Sequence, residues 1–206
     1  MMRDIMGLKS IGIDLFKSVI NESKENPDLL DSYSLNQFKS KENLLHHISK
    51  LELINPYIVI LGSWYGSILI PALVDQAEHI TCIDIDDRVI AIAKNRLFKK
   101  YKNIDFICSD VFDSKRKSRI KNSNLVINTS CEHMSNMSEL PALYKSNAYF
   151  AFQSNNMYDI PTHMNCVASI DEFYSQLPDN ATVIVEDEIE DDRGIRYTLI
   201  GKLCAE

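Results

Sequence analysis

Residues 57–66, Tyr57-Ile58-Val59-Ile60-Leu61-Gly62-Ser63-Trp64-Tyr65-Gly66, combine a short apolar run with a glycine-containing turn. The run is rich in β-branched residues and ends at a glycine, which predicts a strand buried inside a parallel sheet. The two glycines let the backbone turn sharply and let a ligand approach the main chain where the next helix starts. The segment therefore predicts a strand, a turn and a helix with a ligand at the turn.

Strand and helix patterns alternate along the rest of the chain. Further strands are predicted at 79–83, 104–108, 124–128 and 148–152, and helices at 10–53, 67–77, 88–101 and from about Ser169. Two last strands, 181–185 and 197–201, have no helix between them, so we expect an antiparallel pair joined by an acidic loop. This alternation predicts an α/β fold, a mostly parallel and doubly wound sheet with helices on both faces.

Two aspartates lie at the ends of the next two predicted strands. Asp84 follows the glycine turn by about twenty residues, where a carboxylate accepts hydrogen bonds from ribose hydroxyls in nucleotide-binding sheets. Asp110 ends the third strand and can hold an adenine amino group or a backbone turn. Because ligands of such sheets bind outside the carboxyl ends of the strands, these residues predict a nucleotide-like ligand at that edge.

With these residues the chain resembles the class I S-adenosylmethionine-dependent methyltransferases over residues 55–203. That family has a Rossmann-like, seven-stranded sheet whose last strand is antiparallel, in agreement with the predicted C-terminal pair. The resemblance implies S-adenosylmethionine as the cofactor. The implied cofactor-binding residues are Gly62, Ser63, Trp64 and Gly66 for the methionine part, Asp84 for the ribose, and Asp110 or Val111 for the adenine.

The first motif departs from the family pattern in two places. The family usually has an acid two residues before its first glycine and another glycine two residues after it, where this chain has Ile60 and Trp64. Trp64 also disfavours a dinucleotide, because a pyrophosphate needs a bare backbone at this point. The candidates for holding the amino group of the cofactor are then Asn128, Glu132 and backbone carbonyls near Gly62.

Polar segments follow the fourth and fifth predicted strands, at 128–133, 153–156 and 163–166. Such groups orient a polar ligand, although similar residues also cap helices and make turns. Glu132 and His133 are the predicted catalytic residues, because either can remove a proton from an attacking oxygen or nitrogen. The predicted substrate-binding residues are Gln153, Asn155, Asn156, His163 and Asn165. These segments are similar to those of a group of small methyltransferase-like proteins of phages and bacteria.

Two cysteine–histidine pairs, Cys131-x-His133 and His163-x-x-Cys166, suggest a zinc hypothesis, since two Cys and two His can close a tetrahedral site. Neither spacing matches a common zinc finger, and we therefore predict no metal. A nucleophilic Cys131 activated by His133 is also disfavoured, because neighbours in sequence rarely point at each other.

The chain has 206 residues, 45% of them hydrophobic and 25% charged. This composition excludes collagen, disordered tails and disulfide miniproteins. The length predicts one compact unit, with a helical cap over residues 1–54 and a cofactor-binding domain over residues 55–206. We expect the cap to cover the pocket or a sheet edge, or else to form an oligomer interface.

Five scattered cysteines favour a cytoplasmic protein, and we expect neither a membrane span nor a secretory signal.

The net charge of −7 is unevenly distributed. In residues 94–121, ten Lys and Arg against three Asp give +7, whereas residues 186–192 form a dense acidic run. Both segments are typical of solvated faces, although the basic one could attract an anionic substrate.

The function predicted from these features is methyl transfer from S-adenosylmethionine to a small or mid-sized polar acceptor. One alternative is another reaction of the same cofactor: aminocarboxypropyl transfer, cyclisation or a lyase reaction that gives methylthioadenosine. Another is an RNA-binding or partner-binding domain that uses the basic segment 94–121. Nucleic acid is the less favoured partner, because the rest of the chain is acidic and no aromatic residue lies among Lys115, Arg116 and Lys117. The sequence leaves the oligomeric state open.

Overall fold

The computed structural model describes residues 12–113 and 117–205. The strands are β1 (Tyr57–Leu61), β2 (His79–Asp84), β3 (Ile104–Cys108), β4 (Leu125–Asn128), β5 (Tyr149–Asn155), β6 (Ala181–Asp191) and β7 (Gly194–Leu203). The helices are α1 (Ile13–Glu22), α2 (Asp28–Asp31), α3 (Leu35–Ser49), α4 (Leu69–Leu73), α5 (Asp87–Ile92), α6 (Lys117–Lys121) and α7 (Ile170–Ser175). Residues 1–11, which contain the start of the predicted cap and part of the twenty-residue stretch behind the secretory-signal prediction, lie outside the described residues.

The seven strands of the described residues form one sheet in the order β3-β2-β1-β4-β5-β7-β6. Strands β1 to β5 pair in parallel, and β7 is antiparallel to both β5 and β6. The predicted α/β fold, with its doubly wound sheet and antiparallel last strand, is therefore confirmed.

Alternate residues of β1 enter two different apolar cores, because successive side chains of a strand point to opposite faces of the sheet. Ile58 and Ile60 pack in the core that also contains residues of α1, α3, α4 and α5. Val59 and Leu61 pack in the core on the other face, with Phe173 of α7. Burial on both faces explains why this strand reads as a continuous apolar run.

Three predicted element boundaries differ from the structure. The helix predicted at 67–77 is regular only over α4, and the one predicted at 88–101 consists of α5 and a π-helical turn, Ala93–Leu97. The helical N-terminal region divides into α1, α2 and α3, with the breaks around Pro27 and before Ser34. Ser34 caps α3, since its side chain accepts a hydrogen bond from the Gln37 N–H.

The predicted acidic loop is wrong, because β6 and β7 continue through the acidic run and are joined only at residues 192–193. The alternation of exposed and partly buried residues suits a strand at the edge of the sheet. Glu186, Glu188 and Glu190 are exposed, and charged side chains on an edge strand discourage pairing with another chain. Asp187 lies on the other side of the strand, where its Oδ2 accepts hydrogen bonds from Asn43 and His47 of α3.

Strand β5 is also longer than predicted. It extends to Asn155 because the antiparallel β7 pairs with it residue by residue, with Gln153 opposite Thr198 and Asn155 opposite Arg196. Gln153, Ser154 and Asn155, which the sequence predicts after the strand, therefore lie within it and are fully buried, whereas Asn156 follows it and is partly exposed. Gln153 connects three elements: its Oε1 accepts from the Ser40 hydroxyl of α3 at 2.8 Å, and its Nε2 donates to Thr198 Oγ1 at 2.9 Å.

Helices α1 to α3 pack against the sheet through apolar side chains. Leu15, Leu29 and Leu44 belong to the same core as Ile60. Asp28 of α2 adds a polar connection to α5, since Arg88 donates to its Oδ2 at 2.9 Å. This hydrogen bond is the largest cause of the lowered pKa of Asp28.

The basic segment 94–121 is divided among several elements. Residues 114–116, with two of its cations, lie outside the described residues. Two of its arginines pair with acids: Arg96 with Glu22 at 3.6 Å and Arg119 with Asp105 at 3.1 Å. Among the helices of the described residues, none has both the length and the apolar character that crossing a membrane requires.

Replacing Gln153 by methionine should lower stability. The substitution Gln153→Met keeps an unbranched side chain of similar size but leaves the buried hydroxyls of Ser40 and Thr198 without their partner. We expect the free energy of unfolding, measured by urea denaturation, to fall by about 1–3 kcal/mol. Gln76→Met is the matched control: Gln76 is exposed, and a surface change should stay within about 0.5 kcal/mol. Equal losses in the two variants would contradict the structural role of Gln153.

Candidate functional site

The turn after β1 contains three residues in the left-handed backbone region: Gly62 at φ 56°, Trp64 at φ 47° and Gly66 at φ 65°. Glycine adopts this conformation readily, whereas other residues hold it only when their surroundings enforce it. For Trp64, the enforcing contact is a 2.7 Å hydrogen bond from its N–H to Asp84 Oδ2. Trp64 is half-buried and lines the cavity described below, whereas Tyr65 is fully buried.

Asp84 connects the end of β2 to this turn. Its Oδ1 accepts a hydrogen bond from the Asp86 N–H at 3.0 Å, and its Oδ2 accepts the one from Trp64. A carboxylate oxygen can accept more than one hydrogen bond, so acceptor capacity remains for a ligand. Asp110 is exposed after β3, where its Oδ1 accepts from the Phe112 N–H at 2.9 Å.

A cavity of about 1020 Å³ lies at the carboxyl ends of β1 to β4. It sits where β1 has β2 on one side and β4 on the other, which is the switch point of the strand order. Its volume is at the upper end for small-molecule sites, which leaves room for two ligands. The predicted site residues that line it are Gly62, Ser63, Trp64, Gly66, Asp84, Asp110, Val111, Glu132, His133 and His163.

The other five predicted residues are amides that the structure does not place among the described lining residues. Their side chains make hydrogen bonds to neighbouring segments instead. Asn128 donates to the sulfurs of Met134 and Met137, Gln153 bonds to Ser40 and Thr198, Asn155 accepts from the Met157 N–H, Asn156 accepts from the Ile195 N–H, and Asn165 donates to the Met134 carbonyl. Asn128, expected at the cofactor, and the four amides expected at the substrate thus connect neighbouring segments of the chain.

Two buried cations on the cavity wall were missed in the sequence. Lys41 comes from α3 and Arg196 from β7, and they are 9% and 6% exposed. Arg196 Nη1 lies 3.5 Å from Glu132 Oε1, and Lys41 Nζ donates to Gln37 Oε1 at 2.7 Å. Lys41 is one of several lysines in a polar helix, and no motif marks it.

The surroundings of Lys41 change the pKa of its side-chain amine. Burial, reinforced by the charge of Arg196, lowers the pKa of Lys41 to about 7, while Glu132 acts in the opposite direction. A charged ammonium is costly to keep away from water, which is why burial favours the neutral amine. Near neutral pH the cavity therefore contains an amine that can accept a proton.

Two histidines complete this half of the cavity. His133 Nδ1 lies 3.0 Å from the Thr162 carbonyl oxygen, which can only accept, so in the neutral imidazole Nδ1 carries the proton and Nε2 the lone pair. The His163 ring lies edge-on to that of His133, with ring centres 4.6 Å apart. Burial lowers the pKa of His163, which favours the neutral form of this side chain. The cavity thus has a glycine turn with two acids at one end and a set of bases at the other.

Several solved structures share this architecture. The N-methyltransferase NodS from Bradyrhizobium japonicum WM9, in complex with S-adenosylhomocysteine, superposes with a TM-score of 0.68 at 14% identity, over 92% of this chain and 98% of that one. Magnesium protoporphyrin IX methyltransferase (ChlM) from Synechocystis PCC 6803, also with bound S-adenosylhomocysteine, gives a TM-score of 0.65 at 11% identity, over 82% and 83%. The chain has the fold of these methyltransferases.

The similarity is one of fold, because the identities are 14% and 11%. No protein-family model matches the sequence, and no curated protein matches it either. The fold implied by the resemblance to class I methyltransferases is confirmed, and the roles of single residues rest on the geometry of the cavity.

Alanine at Gly66 should cost more stability than alanine at Gly62. Both positions have a left-handed backbone, which costs about 1–3 kcal/mol for a residue held out of its preferred region. A Cβ at Gly66 would also overlap the side chain of Ile70, whereas at Gly62 it would meet the flexible end of Met134 at 3.0 Å. Urea denaturation of Gly66→Ala and Gly62→Ala measures the difference, and equal stabilities would contradict the packing of the turn.

Stability should depend on pH through Lys41. Because its pKa is lowered from 10.5 to about 7 on folding, the unfolded chain binds more protons between these values, and stability rises with pH across that window. Lys41→Met removes this effect, so the variant should be stabilised relative to wild type most strongly below pH 7 and progressively less as pH rises. Urea denaturation of wild type and variant across the window tests this, with the exposed Lys50→Met as control. A stability difference that does not change with pH would refute the lowered pKa.

Proposed function

We propose that this protein is an S-adenosylmethionine-dependent methyltransferase that acts on a small or mid-sized polar acceptor. The observation that carries the proposal is the left-handed turn after β1, held against Asp84 at the edge of the cavity. The fold supports it, since NodS and ChlM were solved with S-adenosylhomocysteine bound. The size of the cavity is in keeping with a cofactor and an acceptor side by side.

The residues around the turn fit this cofactor. Gly62 and Gly66 leave the main chain bare, which allows the methionine part to approach the backbone. The carboxylate of Asp84 keeps acceptor capacity for the ribose hydroxyls. Asp110 and Val111 offer a carboxylate and an apolar surface to the adenine.

The amino group of the cofactor needs a partner other than the usual acid. Ile60, at the position of that acid, is fully buried in the core, and the amide of Asn128 is occupied by two methionine sulfurs. Within the described part of the chain, the Gly62 carbonyl accepts a single, long hydrogen bond from the Ser130 hydroxyl, at 3.4 Å. We therefore propose that the amino group of the cofactor donates a hydrogen bond to the Gly62 carbonyl. Glu132 then contacts the molecule that receives the methyl group.

When bound, S-adenosylmethionine supplies an electrophilic methyl group. The residues of the chain then have two tasks, which are to position the acceptor and to remove its proton. His133 can accept a proton at Nε2, and Lys41 can do so through its partly neutral amine. Glu132, which lies 3.5 Å from Arg196, can orient a hydrogen-bond donor of the methyl acceptor. Several hydrogen-bonding side chains of the protein converge here. The molecule that receives the methyl group is therefore polar rather than apolar.

Another transfer from the same cofactor has one observation in its favour. With Ile60 in place of an acid, the amino-acid tail of the cofactor lacks its usual anchor, and the aminocarboxypropyl group could be the part transferred. Mass spectrometry of the incubated cofactor separates the reactions. Methyl transfer leaves S-adenosylhomocysteine, and the alternative reactions leave methylthioadenosine.

Binding of S-adenosylhomocysteine should depend on Asp84. Isothermal titration calorimetry should detect binding to the wild type, and Asp84→Ala should weaken it by about tenfold or more, because a hydrogen bond to a charged group contributes about 1.5–3 kcal/mol. Asp179→Ala, at an exposed acid away from the cavity, is the matched control and should bind like wild type. No binding by the wild type at millimolar ligand would overturn the proposed function.

A further inference from the structure

Three potential metal ligands converge in the half of the cavity that contains Lys41, Glu132, His133, His163 and Arg196, which we call the acceptor half. Glu132, His133 and His163 each offer one ligand atom, and these three atoms all lie within 4.8 Å of one another. Glu132 and His133 follow β4, whereas His163 comes from the segment after β5, thirty residues along the chain. The fold thus brings two imidazoles and a carboxylate to one point on the cavity wall.

The neighbours of the histidines leave nitrogen lone pairs available. Because His133 Nδ1–H donates to the Thr162 carbonyl, its Nε2 is the free nitrogen. His163 Nδ1 lies 3.5 Å from Cys166 Sγ, and the thiol lies within donating distance of Asn155 Oδ1 at 3.6 Å. If the Cys166 thiol donates its hydrogen to Asn155 Oδ1, its sulfur accepts a hydrogen bond from His163 Nδ1–H. The lone pair of His163 Nε2 is then available for a metal ion, as is that of His133 Nε2. Metal-binding histidines are typically oriented by such a bond at the other ring nitrogen.

Glu132 provides the second and independent observation. Its side chain is 3% exposed, and its Oε1 faces Arg196 at 3.5 Å. Its other oxygen, Oε2, is buried without a hydrogen-bond partner in the described part of the chain. An unsatisfied buried carboxylate oxygen is costly, and a bound cation removes that cost.

We propose that Glu132, His133 and His163 bind a divalent transition-metal ion, with zinc as the best match. Two imidazole nitrogens and one carboxylate oxygen are the ligand set of catalytic zinc sites, which keep a further position open for water or substrate. Calcium and magnesium prefer sets made only of oxygen, so the two nitrogens select against them. This site differs from the cysteine–histidine set considered from the sequence, because Cys131 is buried in an apolar core.

The metal gives the acceptor half of the cavity a specific task. An acceptor oxygen or nitrogen bound at the open position loses its proton more readily, because the cation stabilises the negative charge that forms. With the ion bound, Glu132 and His133 act as its ligands and His133 Nε2 no longer accepts a proton, so Lys41 on the same cavity wall takes the proton. Arg196 Nη1, 3.5 Å from Glu132 Oε1, neutralises part of the charge of Glu132. This task rests on the proposed function, whereas the binding of the ion does not.

Metal titration of the full chain tests the site without the cofactor. The chelator-treated protein is titrated with Zn²⁺ by calorimetry, and we expect one equivalent to bind. His163→Ala, His133→Ala and Glu132→Gln should each weaken binding by at least about tenfold, the lower end of the loss seen even for outer neighbours of metal ligands. His46→Ala, at an exposed histidine of α3, should bind like wild type. Wild-type protein that binds no zinc, or binding that survives all three substitutions, would overturn the proposal.

Cobalt gives a measurement that does not depend on whether the variants fold. Co²⁺ bound to wild type should show visible bands of nitrogen and oxygen ligation and no thiolate charge-transfer band, and a thiolate band would refute this ligand set. Calorimetry with S-adenosylhomocysteine, done separately, distinguishes the two proposals. Zinc binding without S-adenosylhomocysteine binding supports the metal site and overturns the methyltransferase. The reverse result supports the methyltransferase and overturns the metal site.

Discussion

The hydrogen bond from the Trp64 N–H to the Asp84 carboxylate holds the ends of β1 and β2 together. It keeps a bulky residue in the left-handed region, and the glycines on either side complete a turn that a helical or extended backbone could not make. This turn lines the cavity through Gly62, Ser63, Trp64 and Gly66. The same carboxylate is the group that we assign to the ribose, so one side chain shapes the site and binds within it.

The opposite half of the cavity depends on the direction of β7. An antiparallel strand begins at the edge where its parallel neighbours end, so Arg196, near the start of β7, lies beside the polar residues that follow β4. Lys41 reaches the same place from α3, whose position is held by Gln153 and by Asp187 of β6. A parallel last strand would have placed Arg196 at the far edge and left Glu132 without its counter-charge.

Features that depend on neighbouring residues could be predicted from the sequence, whereas features that depend on contacts between distant segments could not. The turn at Gly62 and the acid at Asp84 were found because each belongs to a strand end that apolar patterning marks. Gln153 was misplaced because the end of β5 is set by its pairing with β7, about 45 residues away, and no local pattern records that pairing. The prediction of an acidic loop is wrong because charge alone does not distinguish an edge strand from a loop.

The order of strands and helices, the buried β1 and the glycine turn follow from local patterning, because periodicity and backbone freedom act over a few residues. Folding was needed to bring Lys41, Glu132, His163 and Arg196 to one wall of the cavity, since they come from four separate segments of the chain. It also produced the lowered pKa of Lys41 and the unpartnered oxygen of Glu132. Burial and proximity between distant segments are properties of the packed chain, and they give these side chains their chemistry.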